Sequence, residues 1–303
     1  MKDHWSNTAL FKKLSSSLKS GQMAISMLPT YRADVFLFRW GPLRKAWKLM
    51  KLFIRATAFY WNSWILGKSI DAPPVFIVGC GHSGTSLLLA VLGSHPTIYP
   101  IPLEDGVSRD LDQMSNTFKL FDWVTLSVGA HRWIEKTPNH IYRIKSILEM
   151  NPDARIIIII RDGRDVAASL KARYRTATLG AERWVRDNQA GIKFHNHPNV
   201  HVMKYEDMIE NFEDTLRAIM TFLNEEYVDD LRHFHRSPRL WYSNEITRTE
   251  SDRPENHINH RNWQINQPLF DGRGRHKMLT QEELKAVQSV AGELLQEFGY
   301  VQS

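Results

Sequence analysis

Short apolar runs alternate with longer segments in which apolar residues recur every three or four positions. This alternation extends from about residue 75 to residue 300 and is typical of strands followed by helices. In the segment "RIIIII" (155–160), Arg155 is followed by five consecutive β-branched residues, which is typical of a parallel strand with both faces covered. The pattern therefore predicts an α/β fold in which a central parallel sheet is flanked by helices in three layers.

The same pattern places the individual elements. It predicts strands at 75–78, 131–135, 155–160 and 199–205, and helices at 85–92, 139–150, from 165 onward and at 206–223. Thr280 followed by Glu283 forms a capping-box sequence, which predicts a last helix that ends near Gly299. Residues 237–278 are polar and have little periodicity, and such a long segment in a compact domain is usually functional or mobile.

Charge divides the chain into an N-terminal segment (1–70) and a predicted domain (71–303). Residues 1–70 carry 12 Lys and Arg against two acidic residues, so the domain has a net charge of −4 within a total of +6. A basic body that would bind nucleic acid is not supported. Residues 43–67 combine Lys and Arg with large apolar side chains at helical spacing. They predict either an amphipathic helix in peripheral contact with an anionic membrane or a helix packed on the domain.

Cysteine content and apolar runs bear on location. The single cysteine, Cys80, excludes an intrachain disulfide, which agrees with a reducing compartment. We find neither an apolar run of 18 residues nor an N-terminal apolar signal core. The expectation is a cytoplasmic protein, with peripheral membrane contact through residues 43–67 as an addition to it.

A glycine-rich turn, "GCGHSGTS" (79–86), follows the first predicted strand. The spacing of its glycines approaches that of a phosphate-binding P-loop, but Thr85 stands where the lysine of a nucleotide triphosphatase would be. Backbone amides of Gly81, His82, Ser83 and Gly84, with the hydroxyls of Thr85 and Ser86, are suited to a single phosphate at a helix N-terminus. The fold is therefore expected to be P-loop-like, although a turn that binds nothing is the alternative.

A second motif, "RDGRDVAAS", follows the central strand. It places Arg161 at the carboxyl end of the strand and Ser169 eight residues later, in the next helix. Ligands of open parallel sheets bind beyond these strand ends, so both side chains are expected to face the glycine turn. A guanidinium and a hydroxyl suit a second phosphate, and two phosphates suggest a 3′,5′-bisphosphate nucleotide. A solvated charge run is the alternative.

Together the two motifs resemble those of the sulfotransferases that use 3′-phosphoadenosine 5′-phosphosulfate (PAPS). The likeness covers residues 73–300, includes "VMKYEDM" and "LTQEEL", and is closer to the bacterial, tyrosyl-protein and carbohydrate members than to the phenol sulfotransferases. The resemblance implies that residues 81–86 bind the 5′-phosphosulfate, and that Arg161 and Ser169 bind the 3′-phosphate. It also implies weaker roles for Arg273 and Arg275 in closing over the 3′-phosphate.

The resemblance also points to catalytic residues. The family has Lys or Arg where this chain has His82, so Lys136 of "EKTPNH" is a candidate for the missing charge, unless it is a surface lysine at a strand end. Glu104 is the expected general base, with His82 as a second candidate, and a solvated acidic turn is the alternative for "LEDG".

The sequence leaves the acceptor open among carbohydrate, lipid, peptide and small-molecule hydroxyls or amines. No metal is expected, because no histidine spacing forms a recognisable ligand set. Two other functions remain: an inactive nucleotide-binding protein of the same fold, and a nucleotide or sugar kinase with a degenerate loop.

Overall fold

A computed structural model describes residues 70–101, 111–236 and 263–301 of the chain. The strands are β1 Val75–Gly79, β2 Ile98–Pro100, β3 Arg132–Lys136, β4 Arg155–Ile160 and β5 Val200–Lys204. The α-helices are α1 Thr85–Leu92, α2 Leu111–Ser127, α3 Ile144–Met150, α4 Gly163–Tyr174, α5 Ala177–Ile192, α6 Tyr205–Glu210, α7 Phe212–Leu223 and α8 Gln281–Glu297.

The five strands form one parallel sheet in the order β2-β3-β1-β4-β5. Successive side chains of a strand point to opposite faces, and the sheet accordingly separates two apolar clusters. Phe76 and Val78 of β1 belong to the cluster that includes Trp184 of α5, whereas Val75 and Ile77 belong to the cluster of α1 and α7. The predicted α/β class, with a parallel sheet flanked by helices, is confirmed.

Two helices predicted as continuous are interrupted. The segment 139–150 consists of a 3-10 helix, Pro138–Tyr142, and then α3, because Arg143 departs from helical geometry (φ −118°, ψ 6°). The segment 206–223 is divided into α6 and α7 at Asn211 (φ −130°, ψ 55°). Apolar spacing continued across both interruptions, which explains why a single helix was predicted in each place.

The helix α5 was not predicted at all. Its buried face includes Gly180, Asp187, Asn188 and Gly191 beside Trp184, so polar and small residues interrupt the apolar periodicity that marks most helices. At position 180 an added Cβ would lie 3.0 Å from the backbone of Ala167 in α4, so a larger residue there would require the two helices to move apart slightly. The close contact of α4 and α5 therefore depends on residues that give no apolar signal.

The C-terminal helix α8 begins as its capping box predicts. Thr280 Oγ1 accepts from the amide of Glu283, and the Glu283 carboxylate accepts in return from the amide of Thr280. The helix ends at Glu297, and Gly299 adopts a left-handed conformation (φ 74°) two residues later. No helix in the described ranges is both long enough and apolar enough to span a bilayer, and residues 43–67 lie outside those ranges.

Candidate functional site

The glycine turn between β1 and α1 needs glycine at its two ends. Gly79 has φ 144°, and an added Cβ would lie 2.5 Å from the carbonyl oxygen of Ile159 in β4. Gly84 has φ 94°, and its Cβ would lie 2.5 Å from Cδ2 of Tyr205. Neither position tolerates a side chain without movement of its neighbours, so the sequence pattern reflects close packing of the turn.

The amide groups at the start of α1 lack a side-chain cap. Gly84 is the N-cap residue and supplies no acceptor, so the first amides of the helix remain available to an anion. Ser83 is fully buried, and its Oγ has no hydrogen-bond partner among the residues that the structure describes. A buried hydroxyl of this kind needs an explanation, and a bound ligand oxygen would provide one. The turn is thus suited to an anion, as its sequence predicts.

Arg161 extends from the carboxyl end of β4 to the glycine turn. Its Nη1 donates to the carbonyl oxygen of His82 at 3.2 Å, and its Nη2 donates to the carbonyl oxygen of Gly272. The guanidinium lies 4.3 Å from the centre of the Tyr205 ring, and the Tyr205 hydroxyl accepts from the amide of Gly272. Arg161 therefore connects the turn to the C-terminal segment that contains Gly272. Its Nε is buried without a partner in the described parts of the chain.

Ser169, on α4, contacts two other predicted site residues. Its Oγ lies 2.8 Å from Nδ1 of His82 and 3.3 Å from Nη1 of Arg275. His82 adopts a left-handed conformation (φ 71°), which is uncommon for a residue with a side chain and is often associated with functional positions. The glycine turn, the helix after β4 and the C-terminal segment therefore converge at one hydroxyl group.

Asp165, which the sequence analysis did not select, fixes the C-terminal segment on α4. Its carboxylate accepts from the amides of Gly274 and His276 at 2.8 and 2.9 Å, and lies 2.6 Å from His276 Nδ1. It also lies 3.6 Å from Arg161 Nη2. Burial alone would raise the pKa of Asp165, but the contacts with His276, Arg161 and Gly274 outweigh it and hold the pKa below its ordinary value. Its position four residues from both Arg161 and Ser169 was the available signal.

The two residues that follow β5 contact Arg161 and its neighbour Asp162. Tyr205 stacks on the guanidinium, and the neighbouring Glu206 accepts from the amide of Asp162 at 3.0 Å and from the Tyr300 hydroxyl at 2.8 Å. Burial raises the pKa of Glu206 above its ordinary value. The motif "VMKYEDM" therefore links the strand-end arginine to Tyr300, three residues beyond the end of α8.

The remaining predicted residues occupy different environments. Lys136 is 1% exposed at the end of β3, so the alternative of a surface lysine is wrong. Arg273 pairs with Asp271 and Glu210, and none of its observed contacts involves Ser169. Glu104 lies outside the described residues. Within those residues, no group of three or more His, Cys, Asp or Glu side chains is arranged to hold a metal ion.

Comparisons with known proteins agree with this architecture. A model of the sulfotransferase family matches residues 104–230, a region that contains Arg161 and Ser169 but not the glycine turn. A protein of unassigned function from Aquifex aeolicus is 24% identical over 55% of this chain, and the match spans only 27% of that protein's length. A Caenorhabditis briggsae protein that is named, by inference, as a protein-tyrosine sulfotransferase is 26% identical over 53% of this chain and 69% of its own length.

The fold is also that of a solved sulfotransferase. Mouse sulfotransferase SULT7A1, determined in complex with PAP, superposes with a TM-score of 0.52 at 18% identity, over 74% of this chain and 85% of that protein. The resemblance drawn from the two motifs is confirmed, because a sulfotransferase family model matches part of the chain and the fold is that of a solved sulfotransferase.

Proposed function

We propose that the chain transfers a sulfuryl group from PAPS to a hydroxyl or amine of an acceptor. The observation that carries this proposal is the position of the Ser169 hydroxyl between His82 and Arg275. Groups from the glycine turn, from α4 and from the C-terminal segment meet there, as two phosphates of one nucleotide require. The PAP complex of the mouse structure supports the same donor, because the two proteins share a fold.

The residues present fit the donor at both of its charged ends. At the 5′ end we assign the backbone and hydroxyl groups of residues 81–86, including Ser83 Oγ, which has no partner among the residues that the structure describes. At the 3′ end we assign Ser169, Arg275 and the Nε of Arg161, which also has no partner in the described ranges. We assign Arg273 a lesser role, since it engages two carboxylates. Charged donors held in advance stabilise a transferring anionic group without reorganisation.

Transfer requires an in-line acceptor, stabilisation of the charge on the departing phosphate, and a base for the acceptor proton. Amides of the turn, the His82 side chain and the Lys136 ammonium are the groups we assign to the departing phosphate. Glu104 is the residue we assign as general base. The acceptor class stays open among carbohydrate, lipid, peptide and small-molecule hydroxyls or amines.

The decisive experiment measures donor binding and transfer on the same preparations. Radiolabelled PAPS is incubated with the full chain and acceptor extracts, and the dissociation constant of PAP is measured by calorimetry. Loss of a general base is expected to reduce the transfer rate of Glu104→Gln by roughly 10²–10⁴-fold while PAP binding is retained. Asp105→Asn, which changes the adjacent acid, is the matched control and is expected to remain active.

Each alternative predicts a distinct result. PAP binding without transfer to any acceptor would indicate a binding protein of the same fold. An unchanged transfer rate in Glu104→Gln would remove that residue as the base but would leave the donor assignment in place. Failure of the wild-type chain to bind PAP would overturn the proposed function itself.

We further propose a cytoplasmic protein that contacts an anionic membrane surface through residues 43–67. Lys48 and Lys51 contribute to the positive charge of that segment. Replacing both with Glu should abolish sedimentation of the full chain with phosphatidylserine vesicles, because electrostatic attraction accounts for about 1 kcal/mol per basic residue. Equal sedimentation of the variant and the wild-type chain would contradict membrane contact.

A further inference from the structure

An arginine that belongs to neither motif lies against the glycine turn. Arg183 is on α5, and its Nη2 lies 3.6 Å from the position of an ideal Cβ on Gly81. The turn itself carries no fixed cation, because Gly84 is preceded by His82 and Ser83 and followed by Thr85. A guanidinium therefore reaches the 5′ end of the proposed nucleotide site from a helix distant in sequence.

Three side chains hold this guanidinium in place. Its Nε donates to Asp187 Oδ2 at 3.1 Å, its Nη1 to the Tyr174 hydroxyl at 2.6 Å, and its Nη2 to Asn139 Oδ1 at 3.2 Å. A guanidinium has five N–H donors, so one donor on each terminal nitrogen is not used by these bonds. The side chain is 16% exposed, which leaves part of it accessible to a ligand. It is thus oriented before any ligand arrives.

The surrounding charges leave the cluster positive. Asp187 is the carboxylate of the cluster, and it also accepts from the Tyr142 hydroxyl, which in turn accepts from Nε of Arg186. The cluster therefore contains two arginines and one carboxylate, of which Arg183 contacts the carboxylate directly. Burial raises the pKa of Cys80 well above its ordinary value, so the nearby thiol stays neutral and adds no competing negative charge. The guanidinium can thus attract an additional anion.

Arg183 and Lys136 lie on different faces of the sheet. Lys136 is in register with Ile77, whose cluster contains α1, whereas α5 packs through Trp184 on the opposite cluster. Side chains of registered residues in a parallel pair point to the same face. Lys136 and Arg183 therefore occupy different positions, and neither can take the place of the other.

We propose that Arg183 is a binding residue for the 5′-phosphate end of the nucleotide, where it supplies the fixed positive charge that His82 does not. This inference rests on the proposed function, since it specifies one contact of the same donor site. We assign the contact to the 5′-phosphate, because Arg183 lies beside Gly81, which belongs to the turn that would bind this phosphate. Removal of the guanidinium should therefore affect ligands with a 5′-phosphate and spare those without one.

The test compares adenosine 3′,5′-bisphosphate with adenosine 3′-monophosphate by calorimetry on the full chain. A hydrogen bond to a charged group accounts for about 1.5–3 kcal/mol, so Arg183→Gln should weaken the bisphosphate by roughly 10- to 100-fold. Its affinity for the 3′-monophosphate should stay within about twofold of the wild-type value. Arg217→Gln is the matched control, because Arg217 also pairs with an acidic residue four positions away, Glu213, but on the exposed face of α7.

A second variant distinguishes a loss of folding from a loss of nucleotide binding. Arg183→Gln leaves the buried Asp187 carboxylate without its cation, which can destabilise the fold. The double variant Arg183→Gln/Asp187→Asn removes both charges and decides the result if the single variant unfolds. Equal loss of affinity for both nucleotides, or no loss for either, would overturn the role of Arg183. Failure of the wild-type chain to bind the bisphosphate would instead overturn the proposed donor.

Discussion

The contact of Asp165 with the C-terminal segment provides a quantitative test of how the proposed 3′ site is built. The substitution Asp165→Asn keeps the shape of the side chain but removes its charge and replaces one acceptor oxygen with an NH2 group. That group must face a backbone N–H of either Gly274 or His276, since each carboxylate oxygen accepts one of these amides. A donor would then oppose a donor in a side chain that is only 2% exposed.

The magnitude follows from the number and kind of bonds lost. Hydrogen bonds to a charged acceptor contribute about 1.5–3 kcal/mol each, and we expect a decrease of about 2–4 kcal/mol in the free energy of unfolding. For a domain of this size, the midpoint of thermal unfolding should fall by roughly 5–10 °C. Release of the segment also removes Arg275 from Ser169, so the affinity for PAP should fall by about tenfold, the equivalent of one charged hydrogen bond.

Urea unfolding of Asp165→Asn, with Asp214→Asn on the exposed surface of α7 as control, measures the difference directly. The native pKa of Asp165 is lowered, so its contribution is complete well above the ordinary pKa of 3.8 and is lost as the pH falls through the native value. The stability difference between wild type and variant should therefore be present at pH 7 and at pH 5 and shrink below pH 4. An Asp165→Asn variant as stable as the wild type at pH 7 would refute this account.

Four further substitutions have expected outcomes. Gly84→Ala should abolish PAP binding in calorimetry, because its Cβ would lie 2.5 Å from Tyr205 in a left-handed backbone. Gly292→Ala should instead raise the free energy of unfolding by about 0.5–1 kcal/mol, because an added Cβ there meets open space on α8. Equal PAP affinities of the two variants would contradict the packing argument. Ser169→Ala should weaken PAP by about fivefold while adenosine 5′-monophosphate binds as before, and unchanged PAP affinity would count against the 3′ assignment. Thr280→Ala should lower the free energy of unfolding in urea by about 1 kcal/mol, and no change would argue against the capping box.

The order of elements could be predicted because strands such as β4 are uninterrupted apolar runs. The capping box of α8 was equally local, since Thr280 and Glu283 satisfy one another within a single turn. The break at Asn211 left no comparable mark, because the apolar spacing continues through it and only the backbone conformation changes. Local patterns therefore gave most of the elements, whereas the helix α5 and the exact divisions of other helices depended on tertiary packing.

The same distinction applies to the site. Arg161 and Ser169 could be placed near the glycine turn because the carboxyl ends of parallel strands share one edge of the sheet. That Arg161 would hold the carbonyl groups of His82 and Gly272 could not be inferred, because these contacts join residues 79 and 111 positions apart. Arg183 was missed for a related reason, since nothing in its helix marks it until α5 is packed beside the turn.

The hydroxyl shared by His82 and Arg275 makes the two ends of the proposed nucleotide site interdependent. A serine has one proton and two lone pairs, so once Ser169 donates its proton to a phosphate, Nδ1 of His82 can keep its contact only as a donor. Filling the 3′ end thereby changes how the His82 ring is held at the 5′ end. The binding free energies of two nucleotide fragments, each with one of the two phosphates, should consequently not add up to the binding free energy of the complete nucleotide. An inhibitor made by joining such fragments would therefore have an affinity different from the one that the fragments predict.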